Sequence, residues 1–261
     1  YSEIINNSAN CNGGGFYINN TSTATITNST INNNSAGCNG GGVRSDDGSK
    51  LALANVTMSG NSANGYGDGI FTSRWNHVKL FNTIIWGAAD QDIYLDVEIN
   101  ARDTITISYS DIKSGQNSIT TNDLGVVYWL TGNITTDPLF ADAASNDYTL
   151  QSNSPAIDVG NPNAFYNDDD STRNDMGYTG GNGITLSATE IDFGYLGVGD
   201  SRNKTITITN NRSTTISISD ATFDDAQFST STSFPVTVAA YSAADVTLTF
   251  TPSTTGAHAD T

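Results

Sequence analysis

Three acids of the stretch NDDDSTRND, Asp168, Asp170 and Asp175, alternate along one short segment. Spaced carboxylates in a loop suit Ca²⁺, a hard cation that takes six to eight oxygen ligands, and Asp158 supplies a further one. The stretch is not an EF-hand, because it lacks the glycine at the sixth loop position and the closing glutamate. The plain alternative is a solvated acidic turn whose Asp side chains hold the backbone. Cys11 and Cys38 stand 27 residues apart and are the only cysteines. They read as a disulfide, or as two stacked thiols behaving as small apolar residues. A third set, Tyr17, Arg44, Asp46, Phe71, Trp75 and Glu98, mixes aromatic rings, guanidinium and carboxylates, as a surface that grips a sugar chain would. Asp47, Arg74 and Arg102 lie near it in sequence. No residue is assigned a catalytic role. His77 reads as a solvated turn residue, and His258 has no partner that the sequence reveals.

All three sets depend on a repeat. The stretch NSANCNGGG (residues 7–15) returns as NSAGCNGGG (34–42) and, more faintly, as NSANGYGDG (61–69), at steps of 27. Adding 27 from Ile4 gives Ile31, Met58, Ile85, Ile112 and Leu139. From Phe16 the step gives Val43, Ile70, Val97 and Leu124, and from Ile26 it gives Leu53, Leu80, Ile107 and Ile134. A fixed period of this size marks repeats that bury their apolar face only by stacking on one another. The leucine-rich skeleton is missing, and runs such as TATIT, KLALANV and TITIS alternate as strands do. A parallel β-helix gives each column a meaning: stacked side chains roughly 4.8 Å apart, apolar inside, with Asn ladders and Gly at the bends. Cysteines in one column of adjacent coils then fall within disulfide reach. On the same step Tyr17, Arg44, Phe71 and Glu98 form one outward column. Asp46 and Glu98 would be two coils apart, roughly 9 Å, a separation inverting glycosidases tolerate.

The chain has 261 residues, 14% of them charged, 25 Gly and a net charge of -17. Little in it favours helix, which suits an extracellular β protein better than a cytosolic enzyme. Residues 136–183 hold eight acids and one base and are the most acidic part for their size. Nucleic acid and anionic membrane are not expected as partners of such a surface, whereas divalent cations fit it. No transmembrane run or lipidation motif occurs, so no direct membrane insertion is expected. Tyr1 begins inside a coil that already fits the columns, and the reading expects a longer parent chain.

The NSAxCNGGG coils resemble those of bacterial right-handed β-helix surface proteins and of the polymorphic outer-membrane proteins. NTIIWG (82–87), ISYSDI (107–112), GNITTDPLF (132–140), DYTLQSNSPAIDVGNP (147–162) and RNDMG (173–177) follow in the order seen in the choice-of-anchor Q domain. That resemblance covers roughly residues 80–180. It implies a β-helix C-terminal region of a secreted bacterial protein, ahead of a cell-surface sorting signal.

From Ile184 the pattern becomes short alternating strands with turns between them, the reading of a β-sandwich. Phe193 and Gly194, the TNN at 209–211 and the TFTP at 249–252 resemble the choice-of-anchor D and Hydin-like immunoglobulin-like domains. Members add a strand after the position of Gly256, so the sheet edge is expected to be completed from outside this stretch. The outcomes are residues 257–261 with sequence further downstream, a strand donated by a neighbour, which gives self-association, or an edge left uncovered. The expected fold is all-β: a right-handed parallel β-helix (1–150), an acidic cap or linker (151–183) and an immunoglobulin-like β-sandwich (184–261). The expected function is a non-catalytic extracellular or cell-surface structural, adhesin-like protein with glycans or other surface proteins as partners. A carbohydrate-active β-helix and an extracellular filament subunit are the alternatives.

Overall fold

A computed structural model describes residues 2–87, 91–96, 101–122, 125–168, 172–180, 184–188, 191–210, 215–240 and 242–259. The chain is all-β and divides into two compact units, Tyr1–Asn182 and Gly183–Thr261. The first is a parallel β-helix. One sheet stacks Glu3–Ile5, Thr23–Asn32, Lys50–Ser59, His77–Phe81, Thr104–Ser108 and Val126–Trp129, and a second stacks Phe16–Ile18, Val43–Asp46, Ile70–Ser73, Ile93–Asp96 and Ile119–Thr120. A small third sheet joins Ser8–Ala9, Ser35–Ala36 and Ser62–Ala63. Successive side chains of a strand point to opposite faces. Ile31, Leu53, Met58, Ile70, Leu80 and Ile105 therefore point inward and are almost fully buried in one continuous core.

The bends explain the repeated motif. Asn28, Asn55 and Asn82 have φ of 48°, 54° and 47°, and Gly13, Gly40 and Gly67 have 63°, 72° and 68°. These are left-handed conformations in register, which Asn and Gly adopt at least cost. A Cβ at Gly40 would also run into the Val43 carbonyl. Asn7, Asn34 and Asn61 form a ladder. The backbone and side-chain amides of Asn34 both donate to Asn61 Oδ1 at 3.0 Å, and those of Asn7 donate to Asn34 Oδ1 in the same way. The motif thus supplies the coil's corners and satisfies backbone groups that a turn would otherwise leave buried and unpaired.

The 27-residue step does not run the whole way. Ile70 pairs with Ile93, not Val97, and Ile93 with Ile119, not Leu124. Ile107 pairs with Trp129 rather than Ile134. The reason for the first of these shifts is a shorter connection. Ser59 and Trp86 are partners, as are Ile70 and Ile93, yet 11 steps separate the first members and only seven the second. Alternation keeps the inward face apolar although the period has changed. Beyond Ile134 the chain leaves the coil path: Phe140–Asp142 and Asp147–Leu150 pair as an antiparallel hairpin, and Leu139 stands at a turn with φ 51°.

Residues 135–168 and 172–180 lie along the outer side of the first sheet as a strap. Ala156 and Met176 bury themselves on Ile84, with Trp86, Ile134, Phe140, Leu150 and Val159 around them. The Gly177 amide donates to the Asn82 carbonyl at 2.7 Å, that of Asn161 to Asn82 Oδ1 at 2.9 Å, and that of Tyr178 to Thr57 Oγ1 at 3.1 Å.

The second unit is an antiparallel sandwich. One sheet has the order Ile184–Leu186, Arg202–Asn210, Ser242–Phe250, Phe228–Thr230, and the other pairs Ile216–Ile218 with Val236–Val238. Rings of Phe193, Phe228 and Phe250 meet in its core at centroid separations of 4.7 to 5.8 Å. Phe228–Thr230 is a strand that the sequence pattern does not announce, because Phe228 is the one large apolar residue between Asp225 and Ser233.

Candidate functional site

The outward column of the second sheet is an aromatic and guanidinium ladder. Tyr17 pairs in register with Arg44, Arg44 with Phe71, and Phe71 with Tyr94. The fourth member is thus Tyr94, not Glu98, which lies outside the described residues. The same shortened connection that moved Ile93 into the core moved Tyr94 into this column. The Arg44 guanidinium lies 4.7 Å from the Phe71 ring centroid and 5.9 Å from that of Tyr17. Tyr94 stacks on Phe71 at 5.7 Å and on Tyr66 at 4.5 Å. The Tyr94 hydroxyl donates to Asn122 Oδ1 at 2.9 Å. Tyr66 and Tyr94 escaped the sequence reading; counting outward positions strand by strand from IYLD would have found Tyr94.

Asp46 anchors this ladder. Its Oδ2 accepts from Arg44 Nε at 2.7 Å and from the Tyr17 hydroxyl at 2.9 Å. Burial, and then the bond to Asp46, push the Tyr17 hydroxyl above the usual phenol range. Asp46 itself is only 2% exposed. A carboxylate so enclosed fixes its neighbours and cannot reach a sugar lying on the surface. The rings that do meet solvent are Tyr17, Tyr66 and Trp75, at 43%, 50% and 57%. Phe71, with Arg44 and Tyr94 stacked in register on either side of it, is buried. Beside Trp75, Arg74 pairs with Asp47 at 2.9 Å across one coil step. Arg102 is exposed.

Cys11 and Cys38 are joined in a disulfide with their Cα atoms 4.4 Å apart, and the Cys38 amide donates to the Cys11 carbonyl at 2.7 Å. Of the acidic set, Asp170 lies outside the described residues. Asp168 Oδ2 accepts from the Asp175 amide at 2.9 Å, and Asp175 Oδ1 accepts from the Asp158 amide at 2.8 Å, so the three residues are linked in a chain. Among the described residues no group of three or more His, Cys, Asp or Glu side chains converges as a metal site would.

Both histidines differ in part from their sequence reading. His77 is exposed but opens a strand instead of a turn, and its Nδ1 lies 2.7 Å from Thr104 Oγ1 on the next coil. His258 has partners: its Nδ1 is 3.1 Å from Asp225 Oδ2 and 2.7 Å from Gln227 Nε2.

Two buried acids were missed altogether. Asp103 continues the column of Ser49 and Asn76, accepting from the Asn76 amide at 2.7 Å and Thr72 Oγ1 at 2.6 Å. Burial raises its pKa and those hydrogen bonds draw it back. Asp111 is fully buried, and neither carboxylate oxygen has a hydrogen-bond partner of good geometry. Burial pushes its carboxyl up to about 8; the Thr136 backbone amide acts downward and the Asp137 charge upward.

A parallel β-solenoid unit and an antiparallel sandwich unit together suggest a structural or surface protein. Residues 184–261 match the family ASH, described as "Abnormal spindle-like microcephaly-assoc'd, ASPM-SPD-2-Hydin", which makes the second unit an ASH-type immunoglobulin-like domain. Neither the curated proteins nor the solved structures contain a match to the chain.

Proposed function

We propose that the protein is a non-catalytic structural module of an extracellular or cell-surface protein, with the β-solenoid as a stiff stalk and the ASH-type domain as a connecting unit. The observation that carries this reading is where the chemically able groups are used. Asn34 and Asn61, Asn76 and Asp103, and Arg44 with Asp46 and Tyr17 all hold one coil in register with the next. A stapled pair of coils suits an oxidising compartment, since disulfides persist outside the reducing cytosol. The resemblance of residues 80–180 to the choice-of-anchor Q region supports a secreted bacterial setting. The test is protease treatment of intact cells that make the parent protein: loss of the solenoid epitope with a cytosolic marker untouched is expected, and full protection would overturn the surface assignment.

A second reading concerns ligands. Tyr17, Tyr66 and Trp75 expose ring area on or beside one sheet, with the Arg44 charge held among them. This favours non-catalytic contact with glycans, and Trp75→Ala together with Tyr66→Ala should abolish any signal that the full chain gives on a glycan array. Retained binding by that double variant would remove this face from consideration. Ca²⁺ at the Asp168, Asp175 and Asp158 chain belongs to the same proposal.

A further inference from the structure

Asp111 occupies a position built for an apolar side chain. Along the outer side of the first sheet, Thr57 pairs with Ile84, Ile84 with Asp111, and Asp111 with Ile134. Ile84 is fully buried and Ile134 partly so, both beneath the strap that brings Ala156 and Met176 onto them. Between these two isoleucines stands a carboxyl with no exposed surface and no well-made hydrogen bond. A charge there costs several kcal/mol unless it is paired, and such groups become neutral instead. Lys113 and the strap's Arg173 are engaged with carbonyls. Lys113 Nζ donates to the Gly87 carbonyl at 2.7 Å, and Arg173 donates to the carbonyls of Gly160 and Val159 at 2.7 and 3.0 Å. Among the described residues the acids of the strap are Asp137, whose Oδ1 accepts from the Leu139 amide at 2.9 Å, with Asp142, Asp147, Asp158, Asp168 and Asp175. Asp137 is the one whose charge acts on Asp111, and it opposes ionisation.

We propose that Asp111 is a proton-linked latch for the strap: with the carboxyl neutral the strap lies closed over Ile84 and Ile134, and release of the proton to solvent frees it. The sign follows from linkage. The closed state binds the proton more tightly than an opened state in which Asp111 meets water. The stabilisation is therefore complete below the ordinary Asp range, about 4, and is lost as pH rises towards the closed-state value. Opening should increase about tenfold per pH unit across that window and level off near and above pH 8.

Hydrogen exchange on the full chain, corrected for intrinsic rates and followed from pH 5.5 to 8.5, reads this directly. That range lies above the titration of ordinary carboxylates. Peptides of the strap should lose protection as pH rises, while those of Lys50–Ser59 do not. Asp111→Asn should make strap protection independent of pH. Asp137→Asn, which removes the opposing charge, should bring the levelling-off to lower pH. Strap exchange that does not respond to pH, or that responds equally in Asp111→Asn, overturns the latch. Should Asp111→Asn fail to fold, a wild-type curve that Asp137→Asn leaves unmoved overturns it equally. Closing of the wild-type strap by Ca²⁺ at pH 8, absent in Asp111→Asn, would make Asp111 a cation ligand and also end the latch reading.

Discussion

The two units bury polar groups differently. In the solenoid a buried amide donates to the same position in an adjacent coil: Asn34 to Asn61 and Asn55 to Asn28, each across 27 residues. In the sandwich, Asn210 reaches across to the carbonyls of Val238 and Ala239, and the main sheet closes by pairing Arg202–Asn210 with Ser242–Phe250. The first arrangement is a sum of near-identical neighbour interfaces, so damage at one coil spreads only through adjoining coils. The second depends on contacts between distant parts of the chain that must form together. A core lesion should therefore be graded along the solenoid and all-or-none in the sandwich.

Leu53→Asp should give the largest effect. Leu53 is 1% exposed and lies between Ile26 and Leu80 in mid-column. An unpaired carboxylate buried there should cost on the order of 5 kcal/mol. Amide exchange should show lost protection centred on Thr23–Asn32, Lys50–Ser59 and His77–Phe81, with Arg202–Asn210 unchanged. A variant that melts like its parent would refute the inward placement of that column.

The mirror experiment is Phe250→Ala, where the ring packs on Phe193 and Phe228. Removal of a buried aromatic ring costs about 3 to 5 kcal/mol, here toward the middle of that range. Protection should be lost through Arg202–Asn210 and Ser242–Phe250 together, leaving Lys50–Ser59 intact. Graded loss confined to one strand would erase the contrast between the units.

Reduction of Cys11–Cys38 sharpens the neighbour-interface picture. The bridge closes a 27-residue separation, for which chain-entropy reasoning gives about 3.5 kcal/mol. Mass spectrometry of the unreduced chain checks the bond itself. Fraying on reduction should be confined to the coils of Ser8–Ala9 and Ser35–Ala36, and a loss reaching Thr104–Ser108 would show cooperativity beyond neighbours.

What the sequence discloses follows the same division. Ile4, Ile31, Met58, Ile85 and Ile112 stack as the period says, because every coil through them keeps its length. The period misplaces Val97 and Glu98 because four residues are missing from a connection, and a repeat count cannot see a deletion that leaves the alternation intact. The strap is illegible for another reason: its contacts join residues such as Asn82 and Asn161, or Thr57 and Tyr178, 79 and 121 apart, with no periodic signal. Asp111 is hidden with it. In YSDI it reads as an ordinary outward polar residue, and only the strap turns that position into interior.

The smallest expected effect tests the acidic loop. Asp168 and Asp175 each accept a backbone amide, which already gathers the carboxylates without a cation. An added Ca²⁺ would have to contribute on top of those bonds. Modest extracellular-type sites bind with Kd of roughly 1 mM, so about 5 mM Ca²⁺ adds about 1 kcal/mol by mass action. The expected result is a small upward shift in the melting of the first unit, reversed by chelator and absent in Asp168→Asn with Asp175→Asn. Mg²⁺ serves as the control, since its smaller, stricter octahedral shell fits a flexible loop poorly. An unchanged curve with Ca²⁺ leaves the hydrogen-bonded acidic turn as the whole account of the loop. A shift that persists in the double variant would move the cation to another group, and Asp111 is the buried carboxyl to examine next.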